Sequence, residues 1–433
     1  MNDSTFPRNA RVSIMQRRSG LPGRSAAFAA VFALVVAVPP ASAQQVVTTV
    51  PELQAAVAAA NSGSGSATIL VRDGVYPLTQ FLWITRDGLT LRGESGNPAA
   101  AVLEGSGMTS GITHLVQVAA HDVTVESLTL RRVLNHAVQV HGEGPYSADG
   151  TVLRNLVLQD TGQQMVKVSY KSGTTSSADN GLVENCIFEY TAGIGPQYYI
   201  GGIDAHQAQN WTVRGCTFRG IRSPDASVAE HAVHFWSDAG GTVVERNLIV
   251  NCDRGIGFGL GTRGHHGGSI RNNMIYHADL GADRADVSIE LESAVGTEVV
   301  HNTIYQEHSY QSAISVRWAA SSATVANNLI RVTGGGSRTI WARDGATVTQ
   351  SGNVLGAQGS WFVNAPNADL HLVGTVANVL DAAPAGSVTD DFDGQSRPQG
   401  GASDVGADEV AGTTGGSGVR QVGWGQVKAS FRP

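Results

Sequence analysis

The chain of 433 residues carries 29 Lys and Arg against 36 Asp and Glu, a net charge of −7, with 53 glycines and only 15% charged residues. An acidic chain lacks the basic footprint of a duplex binder, so nucleic acid is excluded as a partner. Apolar residues make up 42% of the chain, enough for a core, so disorder is excluded as well; many Gly, Val, Ile and Thr point to β-structure with tight turns.

Residues 1–43 read as a secretory signal rather than as fold. Arg8, Arg11, Arg17, Arg18 and Arg24 precede an apolar run from Ala26 to Val38, and Ala41-Ser42-Ala43 offers a small-residue cleavage site before Gln44. The apolar run is 13 residues long, too short to span a bilayer, and no later stretch is long enough, so no membrane span is expected. Removing five Arg and one Asp with this segment takes the net charge from −7 to −11. The mature protein is expected to be secreted or periplasmic, and monomeric.

Thr49-x-x-Glu52 followed by Leu53 to Val57 is a capping box ahead of a short amphipathic helix, expected to cover the N-terminal end of the fold. Strands are expected near 68–71, 81–84, 89–92 and 101–104. A phrase then recurs: a β-branched residue, two variable residues, Asn, and an apolar or β-branched pair. It runs from Val152-x-x-Asn155 through Val244-x-x-Asn247, Ile270-x-x-Asn273, Val299-x-x-Asn302 and Val325-x-x-Asn328 to Asn353. Cys186 and Cys216 occupy the Asn place in two further copies, and the steps from 155 are 31, 30, 31, 26, 29, 26 and 25 residues. Repeats of this length, with short strands and turn glycines, predict a parallel β-solenoid. The repeated Asn predicts an internal amide ladder that satisfies buried turn groups. Cys186 and Cys216 then lie on adjacent coils at a spacing that permits either a disulfide or a stacked thiol pair; Cys252 has no assigned role. The segment from Asp390 to Glu409 reads as a closing segment, and 411–433 as a Gly/Ser-rich linker and tail. The reading is therefore all-β, a single-stranded right-handed parallel β-helix over 44–410 with a short N-terminal capping helix.

A second strand in each coil has an outward face that collects ionisable groups. Placing apolar residues inward aligns Gln139, Lys167, Asp204, His234, Gly257, Ser288, Ser315 and Trp341 in one outward column. The next column holds His141, Ser169, His206, Trp236, Gly259, Glu290, Arg317 and Arg343, with Lys171, Asp238 and Glu292 beyond. Gly255, Gly257, Gly259 and Gly261 are expected to form a flat floor for close approach of a substrate. His231 falls on an inward or corner position and reads as structural.

Glycoside hydrolysis by paired carboxylates fits this face poorly, because Asp204 has no acidic neighbour in register, although loop acids keep an inverting hydrolase open. Proton abstraction beside a uronate carboxylate fits better. Lys167, Lys171, Arg254 and Arg263 supply positive charge, His206 or His234 the base, Asp204 its orientation, and Tyr170 or Tyr199 the acid. His141, Trp236, His265, His266 and Arg317 are expected to line the substrate groove. His206, His234, His265 and His266 also leave a transition-metal site open. A solenoid that only binds carbohydrate, stacking sugars on Trp236, Trp318 and Trp341, is a third alternative.

Gly202-Ile203-Asp204-Ala205-His206 resembles the Asp-Pro-His core of the mannuronan C5-epimerases, with Ala205 in place of Pro. In that family an essential Lys lies one coil earlier, and Lys167 and Lys171 lie 37 and 33 residues before Asp204. Over its whole length the chain is similar to the pectate-lyase-like β-helix proteins, which include alginate and chondroitin lyases. The resemblance implies an exported lyase cleaving an anionic, uronate-containing polysaccharide by β-elimination, or else an epimerase. In those lyases Ca²⁺ held by Asn and Glu neutralises the uronate, so Glu290 and Glu292, with Ser288, are the Ca²⁺ candidates that the resemblance implies; no other cofactor is expected.

Overall fold

A strand of three to five residues buries too little apolar surface to stand alone, so each coil of this chain is stabilised by the coils stacked on it. The structure, a computed structural model, describes residues 44–281, 285–333, 338–374, 376–384 and 386–410; the expected signal segment 1–43 and the expected tail 411–433 lie outside the described residues. Each coil contributes up to three short strands to three parallel sheets of 14, 11 and 10 strands. The result is the expected right-handed parallel β-helix, of about 11 turns. Val213, Val244, Ile270, Val299 and Val325 pair in register up the first sheet and point into a continuous core with Phe188, Phe218, Phe235 and Phe258. No helix of the described residues is long and apolar enough to cross a membrane.

The capping helix spans Val50–Asn61 and buries Leu53, Ala56, Val57 and Ala60 against the first coils. Thr49 accepts the Glu52 N–H at 3.3 Å, but the Glu52 carboxylate reaches back to the N–H and hydroxyl of Thr48, at 2.7 and 2.8 Å. A strand that sequence patterning does not predict, Gln44–Val47, precedes the helix and pairs with Thr68–Val71, so the first sheet begins before its cap.

The amide ladder is present from Asn247 to Asn353. Asn302 is typical: its Oδ1 accepts the Asn273 N–H at 3.1 Å and Asn273 Nδ2 at 2.9 Å, while its Nδ2 donates to Ile270 O and Asn328 Oδ1. Cys186 and Cys216 continue it as thiols rather than a disulfide; the Cys186 N–H donates to Cys216 Sγ at 3.4 Å and the Cys216 N–H to Asn247 Oδ1 at 2.9 Å. The first copy is misplaced by one residue. Leu153 pairs with Val183, which puts Leu156 in the ladder column and Asn155 in the column beside it. That neighbouring column is a left-handed corner occupied by Ser127, Asn155, Asn185, Gly215, Arg246, Asn272, His301, Asn327 and Gly352, with φ from 50 to 61°. Asn and Gly tolerate this conformation best, which is why Asn155 mimics a ladder residue in sequence.

The closing segment does not plug the C-terminal end; it runs back along the flank. Asn272 Nδ2 donates to Asp390 O at 2.9 Å, the Ala407 N–H to Thr303 Oγ1 at 2.8 Å and Asn327 Nδ2 to Pro384 O at 3.2 Å. A second apolar cluster forms under it, from Met274, Tyr276, Tyr305, Leu329, Phe362 and Leu370. Arg397, its side chain fully buried, pairs with Glu409 at 2.8 Å and donates to the carbonyls of Asp390, Asp404 and Gly406. His371 lies between Asp369 at 2.5 Å and Asp393 at 3.1 Å. Burial opposes its charge, but those two hydrogen bonds and the charge of Asp408 prevail and push its pKa up to about 10.

Two outcomes are expected. Asn302→Ala orphans the Asn273 N–H and the Ile270 carbonyl, at about 1–3 kcal/mol each, so its urea midpoint should fall well below that of Asn353→Ala at the half-buried end of the ladder. His371 is raised above its ordinary 6.5 to about 10, so its stabilisation is complete below pH 6.5 and is lost as pH rises through about 10. The gap in melting temperature between wild type and His371→Gln should therefore be constant below pH 6.5 and close towards pH 10.

Candidate functional site

The third sheet stacks Val166–Tyr170, Ile203–His206, His231–Trp236, Arg254–Phe258, Ile289–Glu292 and Ile314–Arg317. With Val166, Ile203, Val233 and Ile256 packed inward, Lys167 stands beside Asp204 and Asp204 beside His234, as the alternation predicts. Beyond Gly257 the expected register slips by two. Ile289, rather than Val287, pairs with Ile256, so Glu290 joins the column of Gly257 and Ser315 while Glu292 lies beside Arg317. Both residues are apolar with one residue between them, so alternation cannot choose between them.

Lys167, Asp204 and His206 form one hydrogen-bonded group. Lys167 Nζ donates to Asp204 Oδ2 in a very short ion pair and to His206 Nε2 at 2.9 Å. The other ring nitrogen of His206, Nδ1, lies 3.1 Å from Ser237 Oγ. Asp204 Oδ1 accepts Trp236 Nε1 at 2.6 Å and lies 3.8 Å from His234 Nδ1. Ser237 sits in the left-handed region at φ 57°, directly after the strand, where sequence alternation has no purchase. Asp204 therefore anchors Lys167 more closely than it orients His206, from which its Oδ2 is 3.5 Å away; Ser237 is the closer partner of the imidazole.

Burial raises the pKa of the Asp204 carboxyl, but the adjacent His206 and the charge of Lys167 outweigh burial and hold it below the usual carboxylate range. His234 is only 1% exposed, and burial followed by the neighbouring His231 pushes its pKa down to about 3. It is therefore a neutral support beneath Asp204, not a second base exchanging protons with solvent. Its Nε2 is 3.1 Å from Gly259 O and its ring stacks on Trp236 at 5.3 Å. Above the group, Tyr170 lies 5.8 Å from the His206 ring, centre to centre, and the Arg263 guanidinium covers Trp236 at 3.7 Å. Lys167, Asp204, His206, His234, Tyr170, Trp236 and Arg263 thus converge.

The other expected residues do not join them. Lys171 is exposed in the turn after its strand. His141 faces Glu143 at 3.9 Å and Tyr146. Tyr199 precedes its strand, on the end away from His206, and packs against Tyr198. Arg254 pairs with Asp286 at 3.2 Å, and Arg317 with Asp344 at 2.7 Å. His265 is buried on Phe258 with Nε2 2.9 Å from Thr242 Oγ1, and burial holds its pKa near 3. His266, the next residue of the same two-residue strand, is exposed, so His206, His234, His265 and His266 are not brought together as a metal site. The Ca²⁺ candidates are also committed elsewhere: Glu290 to Arg343 at 3.2 Å, and Glu292 to Arg317 at 3.3 Å and to the Gly261 N–H at 2.5 Å.

Three of the four glycines of the run are taken up by packing rather than left open to a substrate; only a Cβ on Gly261 would meet nothing within 4 Å. A Cβ on Gly255 would meet Ser288 O at 2.1 Å, and one on Gly259 would meet Glu292 O at 1.8 Å, so both serve close coil packing. Gly257 makes room for a side chain: the His231 ring occupies the place of its missing Cβ, 2.6–2.8 Å away. Alternation sends His231 to the side of Val233, yet its ring lies 4.5 Å from that of His234.

Residues 110–330 match the family described as "right handed beta helix region". No curated protein matches the sequence. Among solved structures, a pectate lyase, Pel9A, is similar at 13% identity and a TM-score of 0.55, over 79% of this chain and 87% of its own. A tailspike protein of E. coli bacteriophage HK620 in complex with a pentasaccharide is similar at 16% identity and a TM-score of 0.50, over 73% of this chain and 64% of its own. An alginate lyase from Paenibacillus sp. str. FPU-7 aligns at 14% identity and a TM-score of 0.47, over 72% of this chain and 98% of its own.

Gly257→Ala tests the packing around His231. The new methyl must displace the ring, an overpacking cost of about 1–3 kcal/mol, read as a lower urea midpoint at unchanged slope.

Proposed function

The chain belongs to the right-handed β-helix family, and from that premise we propose that it is an exported lyase cleaving a uronate-containing polysaccharide by β-elimination. In this reading residues 1–43 direct export to the periplasm or beyond, 44–410 form the catalytic β-helix and 411–433 a tail. The observation that carries it is the position of Lys167, held between the Asp204 carboxylate and His206 Nε2. An ammonium has three N–H donors; two are taken, and the third is available to a substrate carboxylate. That interaction makes the C5 proton of a uronate more acidic and stabilises the enolate that forms when it leaves.

His206 is the base. With Nδ1–H donating to Ser237 Oγ, Nε2 carries the one lone pair of the ring, and it accepts a proton as Lys167 turns the N–H directed at Nε2 towards the substrate carboxylate. The C5–H bond breaks, its proton passes to His206 Nε2, and its electron pair forms the C4–C5 double bond as the C4–O bond breaks. Tyr170, beside the His206 ring, gives its hydroxyl proton to the departing oxygen. Arg263, spread over Trp236, adds a second positive charge at the mouth of the site, which draws an anionic polymer to an otherwise acidic protein. The β-helices of a pectate lyase and of a pentasaccharide-bound tailspike are compatible with a polysaccharide ligand.

The test is ultraviolet absorbance of the unsaturated uronate during incubation with alginate, polygalacturonate, hyaluronan or chondroitin sulfate. Wild type is expected to give a rising signal on one of them, with His206→Ala and Lys167→Met each at least about 10²-fold slower. Full activity in both variants overturns the assignment of these residues. A flat trace on every polymer, with exchange of the C5 proton into solvent, replaces elimination by epimerisation, which begins with the same proton.

A further inference from the structure

We propose that Glu230, His231 and His234 form a binding site for a divalent transition-metal ion, in the first place Zn²⁺. One carboxylate oxygen of Glu230 and one ring nitrogen of each histidine lie within 4.8 Å of one another. Tetrahedral Zn²⁺ with bonds of about 2.0–2.2 Å holds its ligands roughly 3.4 Å apart, so the site closes by about an ångström of side-chain rotation, most easily at the half-buried Glu230.

A second observation separates this trio from an ordinary polar cluster. His231 is 2% exposed, and neither of its ring nitrogens has a hydrogen-bond partner. Its closest carboxylate oxygen, Glu290 Oε2, is 3.8 Å away. A buried imidazole in that state is costly, and a Gly is kept at 257 to accommodate the ring. His234 is prepared in the complementary way: its Nε2–H donates to Gly259 O at 3.1 Å, which leaves Nδ1 as the lone-pair donor. A backbone carbonyl on the far nitrogen is the usual support of a metal-bound histidine. The positive neighbours are already paired, Lys167 with Asp204 and Arg254 with Asp286.

Two imidazoles and one carboxylate suit Zn²⁺ or Co²⁺ and disfavour Ca²⁺ and Mg²⁺, which demand oxygen ligands. The site is distinct from the oxygen-ligand Ca²⁺ site expected at Glu290 and Glu292, and its test needs no assumption about lyase activity.

The full mature chain, dialysed against chelator and then freed of it, should take up one Zn²⁺ per chain in a calorimetric titration. Co²⁺ in its place should give visible d–d bands, and excess Ca²⁺ should displace neither. Glu230→Gln and His231→Asn should each weaken Zn²⁺ at least tenfold. Glu230→Gln keeps shape at a half-buried position, so its melting curve distinguishes lost binding from lost fold. Absence of stoichiometric Zn²⁺ and Co²⁺ uptake by wild type, or unchanged affinity in both variants, overturns the proposal.

Discussion

Parallel coils stack about 4.8 Å apart, and that spacing governs everything else in the molecule. It is too short for a side chain in one coil to ignore its equivalents above and below, so each column must hold groups that stack favourably. Inside, Val, Ile and Phe satisfy this by packing, and Asn247 to Asn353 satisfy it with a chain of amide bonds that also serves the turn carbonyls. At the corner beside the ladder, the same repeat imposes a left-handed conformation coil after coil, even on Arg246 and His301. Outside, the spacing brings together residues far apart in sequence: Lys167, Asp204 and His234 come from three successive coils and form one electrostatic unit.

That unit is more buried than an outward column ordinarily is. Asp204 is 4% exposed, and a carboxylate so placed is stable only because Lys167, Trp236 and His206 surround it. The arrangement exchanges stability for position. A free lysine side chain samples many rotamers, whereas Lys167 is fixed by two partners before any substrate arrives, so little ordering remains to oppose binding. His206 is likewise fixed from two sides, by Lys167 and Ser237.

The general architecture was legible because it rests on periodicity. Apolar alternation placed Lys167, Asp204 and His234 in one column, and the spacing of Asn and Cys identified the ladder. What escaped were departures from period. Asn155 suits a left-handed corner as well as a ladder, so one residue type had two structural explanations. Val287 and Ile289 have the same parity, and only the pairing with Ile256 separates them. His231 belongs by parity with Val233, but the gap above Gly257 draws its ring to the side of His234. Ser237 lies just past its strand, where alternation stops. The sequence Glu230-His231-x-x-His234 carries the signal of the trio only weakly, because i and i+3 on a regular strand face opposite ways.

The two halves of the outer face are joined through Asp204. One oxygen is held by Lys167 on the side of the reactive imidazole; the other receives Trp236 Nε1 and faces His234 Nδ1. Any charge placed among Glu230, His231 and His234 therefore acts on the same carboxylate that positions Lys167. Trp236 stacks on His234 and carries Arg263 over its ring, so one side chain touches both the buried imidazole and the exposed cation. Burial, which makes the polar column expensive, is also what lets a change on one coil be felt on the next without screening by water.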